Sequence, residues 1–301
     1  MADTSLISIC VATYKRPEGL RNLVESIEAQ ELPSNVDVEV VIVDNDPPSA
    51  EAAVTALATA SRFPILYLTQ PEPNISLTRN VGVAAASGDH IWFVDDDEVA
   101  EPTCLARLVS AMNDFDADVV YGPVLPVFET PLADWLRPLF DRPISPTGTA
   151  SKAHRTGNTL VRRSALDLVE GPFDAGYGVT GGSDTMLFRL LEAKGLSLID
   201  SADANVSETV PADRGTWQWL RSRMRRQGQN YARQTIVLED GRLTPGVASM
   251  SVKAILQVVA WGGASVVNWK DRTERSRFLM RMWTNIGKLE GVSGVTSRRD
   301  P

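Results

Sequence analysis

The sequence predicts an α/β fold, a mostly parallel sheet flanked by helices and followed by a helical C-terminal extension. Three observations carry that expectation. Short β-branched runs alternate with segments of helical period through the N-terminal third, the rhythm of successive βαβ units. Three of those runs end on polar or acidic residues, at Thr13, Asp44 and Asp95, and in an open parallel sheet such residues gather in the crevice beyond the carboxyl ends of the strands. From Thr216 onward the pattern turns helical.

In chain order, residues 6–13 form an apolar run closed by polar side chains, and Pro17 opens a helical pattern through Leu20, Leu23, Val24 and Ile27. Residues 36–44 and 65–69 read as the next two strands, with the alanine-rich stretch 50–60 as the helix between them. Ser76 is placed to cap a helix running to about Ser87, which Gly88 stops; residues 90–94 form another strand, ending in acids. Residues 119–127 are strand-like, 131–146 are a proline-rich loop, and 186–193 are helical. A helix starting near Thr216 carries Arg221, Arg223, Arg225, Arg226 and Arg233.

The 301 residues suffice for a large buried core, and the formal charge of −8 argues against general nucleic-acid binding. Cys10 and Cys104 stand too far apart to form a disulfide framework or a zinc motif, and Cys10 falls on a strand expected to be buried. The N-terminus has an apolar run too short for a secretory leader and no basic leader before it, so a cytoplasmic location is expected.

The acidic triplet Asp95, Asp96 and Asp97 carries the most chemistry. In an extended segment Asp95 and Asp97 share one side while Asp96 points away, so two carboxylates can share a hard divalent ion such as Mg²⁺ or Mn²⁺. Such an ion binds through one or two carboxylates plus substrate phosphates and neutralises a departing diphosphate. Taken alone, a solvated acidic turn explains the triplet as well. Asp44 is placed either to bond a ribose or base edge or to close a turn with Asn45, Asp46 and Pro47. Thr13 and Tyr14 can line the same pocket. Arg16 and Arg79 can meet phosphate, whose geometry suits guanidinium, or stand as ordinary surface charges. Asp184, after Gly181-Gly182-Ser183, is either a general base for an attacking hydroxyl or a helix N-cap.

Five segments taken together resemble family 2 glycosyltransferases of the GT-A fold, in particular bacterial enzymes that build exopolysaccharide repeat units. They are ISICVATYKRPEGLRNLVESI, VEVVIVDND, EPNISLTRNVGVAAASGDHIWFVDDDEVAEP, GNTLVRRSAL and GGSDTMLFRLLEAKG, and the likeness spans about residues 7–233. The resemblance implies a GT-A-like catalytic domain over 1–213, with a donor half to about 125 and an acceptor half from 126, followed by a helical region 214–301. It implies inverting, metal-dependent transfer from a nucleotide-sugar donor, a UDP-sugar in preference to a GDP- or dTDP-sugar, onto a glycan or lipid-linked acceptor. Thr13, Tyr14 and Asp44 would form the donor pocket, Asp95 to Asp97 the metal-binding Asp-x-Asp, and Asp184 the base.

Some positions depart from the family pattern. Ser183 stands where the pattern commonly has Glu, which leaves the acceptor contact there open. Gln218 to Ser222 lacks the Gln-x-x-Arg-Trp of processive synthases, which favours addition of a single sugar. Neither His90 nor His154 is placed as the late metal-ligand His of some relatives, and Glu208 is the substitute at hand. Two other functions remain open from the residues: a degenerate nucleotide- or glycan-binding module, and a sugar nucleotidyltransferase, whose Gly-rich N-terminal loop is missing from ATYKRPEG. The Trp-Arg run from 217 to 233 and the apolar stretch 252–269 suit a peripheral membrane contact at the inner face of the cell membrane; Lys253, Gln257, Gly262, Gly263, Ser265 and Asn268 make the latter a poor spanning helix. An ordinary packed hairpin satisfies the same composition.

Overall fold

Alternation along the first strand sets up two cores. In the computed structural model, which describes residues 4–47 and 50–297, β1 (Ser5–Thr13) sends Ile7, Ile9 and Val11 to one face of a sheet and Cys10 to the other. Burial pushes the Cys10 thiol up to about 12, as a strand residue facing a core requires. The elements that follow are α1 (Pro17–Glu28), β2 (Val36–Asp44), α2 (Glu51–Ala60), β3 (Ile65–Thr69), α3 (Ile75–Ala85), β4 (His90–Phe93), β5 (Glu98–Ala100) and α4 (Cys104–Asp114). Then come β6 (Val119–Tyr121), β7 (Val124–Phe128), β8 (Thr159–Arg162), α5 (Arg163–Leu166), α6 (Ser183–Ala193), β9 (Leu198–Asp200) and β10 (Val206–Val210). Three long helices close the chain: α7 (Trp217–Leu238), α8 (Pro245–Val267) and α9 (Arg272–Ser293).

The chain divides into two compact units. The first comprises Met1–Val127, Arg142–Val179 and Ser183–Thr209; the second comprises Phe128–Asp141, Thr180–Gly182 and Val210–Pro301. In the first, seven strands run in the order β3-β2-β1-β4-β8-β6-β9. β1, β2, β3 and β4 are parallel neighbours, β6 pairs parallel with β9, and β8 runs antiparallel between β4 and β6. A second sheet, β5-β10-β7, has β5 antiparallel to β10. The chain proceeds from β1 to β3 on one side and returns to place β4 on the other, so the strand order reverses beside β1. A crevice opens at such a switch point.

Local details differ from the sequence expectation for identifiable reasons. Asn74, not Ser76, caps α3: its carboxamide oxygen accepts from the backbone N–H groups of Ser76 and Leu77 at 3.0 and 3.3 Å, and an Asn there satisfies two orphan donors at once. The helix ends at Ala85, short of Ser87 and Gly88. The run 119–127 is two strands in two sheets, because the chain breaks at Gly122-Pro123 and proline cannot donate to a central ladder. The sheet is mixed on its β8 side and parallel across β1 to β4, the side predicted from the βα alternation.

In the second unit α9 packs against both α7 and α8. Gly228, Gly287 and Gly291 sit where a Cβ would collide with the facing backbone, so small residues set the close α7–α9 approach. Thr216, Thr244 and Asp271 cap the three helices through their side-chain oxygens. Leu136, Leu139 and Leu220 form a small core with Trp135, Trp217 and Trp219 packed on it.

Candidate active site

The carboxyl ends of β1 and β4 meet through the acidic triplet. Asp96 turns inward: its Oδ2 accepts from Thr13 Oγ1 at 2.9 Å and from the Tyr14 backbone N–H at 3.4 Å, tying the β1 loop to the β4 loop across the switch point. Arg16, at the start of α1, donates through Nη1 to Asp96 Oδ1 at 3.0 Å and to Asp97 Oδ2 at 2.6 Å. Arg79, on α3, donates to Asp95 Oδ1 at 3.0 Å and lies over the Phe173 ring. A crevice at this edge is lined by Ala12, Val43, Thr78, Arg79, Asp95 and Thr156, among others.

The strand stops at Phe93 and the chain turns at Asp96-Asp97, with Glu98 N–H donating to the Asp95 carbonyl at 3.0 Å. The strict alternation expected of an extended segment therefore fails here: one Arg16 nitrogen reaches both Asp96 and Asp97. A turn also explains why all three acids stay near one another.

Two further carboxylates join them. Glu98 is buried, 2% exposed, and its Oε2 accepts from the Asp95 N–H at 3.0 Å. Across the antiparallel β5–β10 pair it stands directly opposite Glu208, a like-charge pairing that costs stability. Arg142 offsets part of that by donating to Glu208 at 3.2 Å. Burial raises the Asp97 carboxyl to about 6, with Asp95 adding repulsion and Arg16 pulling the other way. Burial, then Asp95, drives Glu98 well above the usual carboxylate range. Asp96 is also raised by burial, against Arg16 and Thr13. The arginines present do not fully neutralise the cluster, so its ionised form calls for further positive charge.

Backbone proximity makes the cluster. A Cβ on Gly19 would lie 2.5 Å from the Asp96 carbonyl oxygen, and one on Gly157 would lie 2.5 Å from Glu98 Oε1 and 3.3 Å from Asp95 Oδ2. Gly157 is held by Asn158, fully buried with φ +50°. Asn158 Nδ2 donates to the carbonyls of Ala204 and Pro123 at 2.7 and 3.0 Å, and its Oδ1 accepts from Trp92 Nε1 at 3.2 Å. Sequence reading did not single out Glu98, Gly157 or Asn158 for the site. The signal for Glu98 was its place next to the triplet, and Gly-Asn lies inside the quoted GNTLVRRSAL; what they do depends on non-local register.

The remaining candidates lie around this cluster. Thr13 is 2% exposed and spends its hydroxyl on Asp96, whereas the Tyr14 ring is exposed with Lys15 over it. Asp44 is fully buried and accepts from the N–H groups of Asp46 and Ala50 at 2.9 and 3.0 Å and from Tyr67 Oη at 2.8 Å, so in this conformation it holds the turn after β2. Arg16 and Arg79 are both paired with the triplet and are not free surface charges. Asp184 sits one residue inside α6, after Gly182 at φ +98°, so it is not the N-cap. Its Oδ1 accepts from the Thr185 N–H at 2.7 Å, and Thr185 Oγ1 donates to the His154 carbonyl at 3.0 Å. Segment 154–158 thus touches the start of α6 at one end and the acidic cluster at the other. Ser183 is 1% exposed, buried where the family pattern has Glu.

The seven-stranded sheet and its flanking helices have the GT-A architecture. The description "Glycosyl transferase family 2" matches residues 8–168, and the chain belongs to that family. It is 32% identical over 298 residues to the succinoglycan biosynthesis protein ExoM of Rhizobium meliloti (strain 1021), covering 97% of this chain and 94% of that protein. It is 33% identical to the abequosyltransferase RfbV of Salmonella typhimurium, covering 44% of this chain and 41% of that protein. Among solved structures, the fold matches a mannosyltransferase from Pyrobaculum calidifontis in complex with GDP-Man and Mn²⁺ with a TM-score of 0.68 at 18% identity, covering 95% of this chain and 86% of that one. It also matches S. aureus TarS 1-349 in complex with UDP with a TM-score of 0.54 at 13% identity, covering 96% and 92%.

Proposed function

We propose that this chain moves a sugar from a nucleotide-sugar, a UDP-sugar in preference, to a hydroxyl of a glycan or lipid-linked saccharide, with inversion at the anomeric carbon, in surface or exopolysaccharide synthesis. The observation that carries the reading is the gathering of Asp95, Asp97, Glu98 and Glu208 at the switch point, where burial raises the Asp97 and Glu98 carboxyls. The relative named for succinoglycan biosynthesis supports the polysaccharide setting. The neighbours holding UDP and GDP-Man support the nucleotide-sugar class while differing in base. We assign the donor half to about residues 1–125, the acceptor half to 126–213 and an inner-membrane-face location to the cytoplasmic enzyme.

Among the described residues, no group of three or more His, Cys, Asp or Glu side chains forms a ready metal cage. The donor set nevertheless fits a hard divalent ion, because it is all carboxylate oxygen and an ion such as Mg²⁺ completes its shell with water and substrate phosphates. Asp97 and Asp95 would hold Mg²⁺ or Mn²⁺, which supplies Lewis-acid neutralisation of the leaving diphosphate. Arg16 and Arg79 are the phosphate partners in this reading, with Asp96 holding the loop and Thr13, Tyr14 and Asp44 on the nucleotide side. Asp184 takes the acceptor hydroxyl proton as that oxygen attacks the anomeric carbon. The bond from that carbon to the diphosphate oxygen breaks, and its electron pair leaves with the diphosphate. Attack opposite the leaving group inverts the centre.

The test is release of nucleoside diphosphate from a panel of nucleotide sugars, with Mn²⁺ or with chelator. One donor is consumed in a metal-dependent way. Asp97→Ala and Asp184→Ala each abolish transfer, and only the first weakens metal-dependent nucleotide binding. Full activity in either variant overturns the assignment.

A further inference from the structure

Among the described residues, nothing in its own unit covers the apolar face of α8. Val252, Ile255, Leu256, Val259, Val266 and Val267 are 52% to 81% exposed. At about 100° per residue these positions fall on one side of the helix, with Gly263 among them. The opposite side is committed to the protein: Val247, Ala254 and Ser265 are buried, and Trp261 stacks on Phe278 of α9 at 5.9 Å with Arg281 over its ring. Lys253 is the single charged residue of α8. At its C-terminal end Trp269 is 65% exposed with Lys270 over the ring, followed by exposed Asp271, Arg272 and Arg275.

Charge identifies the occupant. Residues 214–301 hold 16 Lys and Arg against 6 Asp and Glu, a net of +10 in a chain of net −8. A second copy on this face would set one cationic unit against another. We propose that α8 lies in the plane of an anionic lipid bilayer, its apolar face sunk into the boundary between headgroups and acyl chains, with Lys253, Lys270, Arg272 and Arg275 meeting lipid phosphate. At 23 residues, with an 18-residue window of mean hydropathy 1.4, the helix is long and apolar enough to span. It does not span, because its other face is packed along arginine-bearing α9 and would carry those charges into the hydrocarbon. The sequence pointed equally to the Trp-Arg helix α7, but α7 exposes only Tyr231 and Val237 among its large apolar side chains, and the continuous exposed apolar face belongs to α8.

The inference rests on the membrane-face location proposed above but not on sugar transfer, so its test uses nucleotide-free, full-length protein. Flotation is measured with vesicles of phosphatidylcholine alone and of phosphatidylcholine mixed with phosphatidylglycerol. The wild type floats with the mixed vesicles, is released by high salt, and stays behind with the neutral ones. Leu256→Glu/Val259→Glu, at two exposed positions, keeps the wild-type circular dichroism and donor turnover while losing at least about tenfold in vesicle affinity. The inference is overturned by a wild type that does not float, by a variant that floats as well, by protein that resists alkaline carbonate extraction, or by a wild-type dimer that the variant dissociates. Vesicle binding by a protein that turns over no donor would count against transfer and leave this inference standing.

Discussion

Arginine meets carboxylate both at the sheet edge and in the C-terminal helices, with opposite electrostatic results. Arg225 on α7 donates through Nε to both oxygens of Glu290 on α9 at 2.8 and 2.7 Å, and that bonding holds Glu290 below the usual carboxylate range. Arg16 bonds Asp97 at 2.6 Å, yet burial and the neighbouring acids raise Asp97 to about 6. In the helices the hydrogen bonds outweigh desolvation; at the sheet edge desolvation and crowding outweigh the arginine. A carboxylate that is paired and still raised carries an unfavourable charge that folding alone does not require, which is how sites poised for a ligand are recognised.

Breaking each side of that comparison separates the two cases. The largest effect is expected for Asp97→Ala, a loss of roughly a thousandfold or more in transfer, as for removal of a group that stabilises a developing charge; donor turnover measures it. Next, Asn158→Ala strands the Trp92 N–H and the Ala204 and Pro123 carbonyls, and is expected to cost about 2–4 kcal/mol in denaturant unfolding.

Asp97→Asn tests the raised carboxyl by itself. A folded-state pKa above the unfolded value means that the folded protein holds a proton the unfolded chain releases, so this group's penalty grows as pH rises from about 4 to 6 and is complete above. In metal-free protein the variant is therefore expected to be more stable than wild type at pH 7, by on the order of 2–3 kcal/mol, with the gain vanishing near pH 4. Equal melting temperatures at pH 7 would show that Arg16 neutralises Asp97 after all.

The smallest effect belongs to the helical pair. Glu290 has a lowered pKa, so its contribution is present above the usual carboxylate value and is lost as pH falls through the folded one. The Arg225 side chain is 42% exposed, so Arg225→Ala is expected to cost about 1 kcal/mol or less, and high salt should shrink it.

The βα order was legible because strand and helix periods are local properties, readable from residues such as Ile7, Ile9 and Val11 or Leu20, Leu23 and Val24. The site was legible only as far as it is contiguous in sequence. Asp95 to Asp97 announce themselves, but the turn that lets Arg16 hold two of them does not. Nor do Glu98 facing Glu208 or Gly157 against Glu98, since these need a cross-strand register and a backbone approach between distant segments. Asp44 shows the converse: its position at a strand end was readable, while its engagement with two backbone N–H groups and Tyr67 was not.

By itself the sequence determined the alternating α/β layout, the run of acids after β4, the glycines before Asp184 and the helical character of the C-terminal region, because each follows from residue type and spacing over a few turns or strands. Tertiary structure decided which charges stay under-neutralised, which helix of the C-terminal unit leaves its apolar face bare, and that Asn74 and not Ser76 starts α3. Those outcomes depend on burial and on what stands opposite each side chain, and both are set by contacts between residues far apart in the chain.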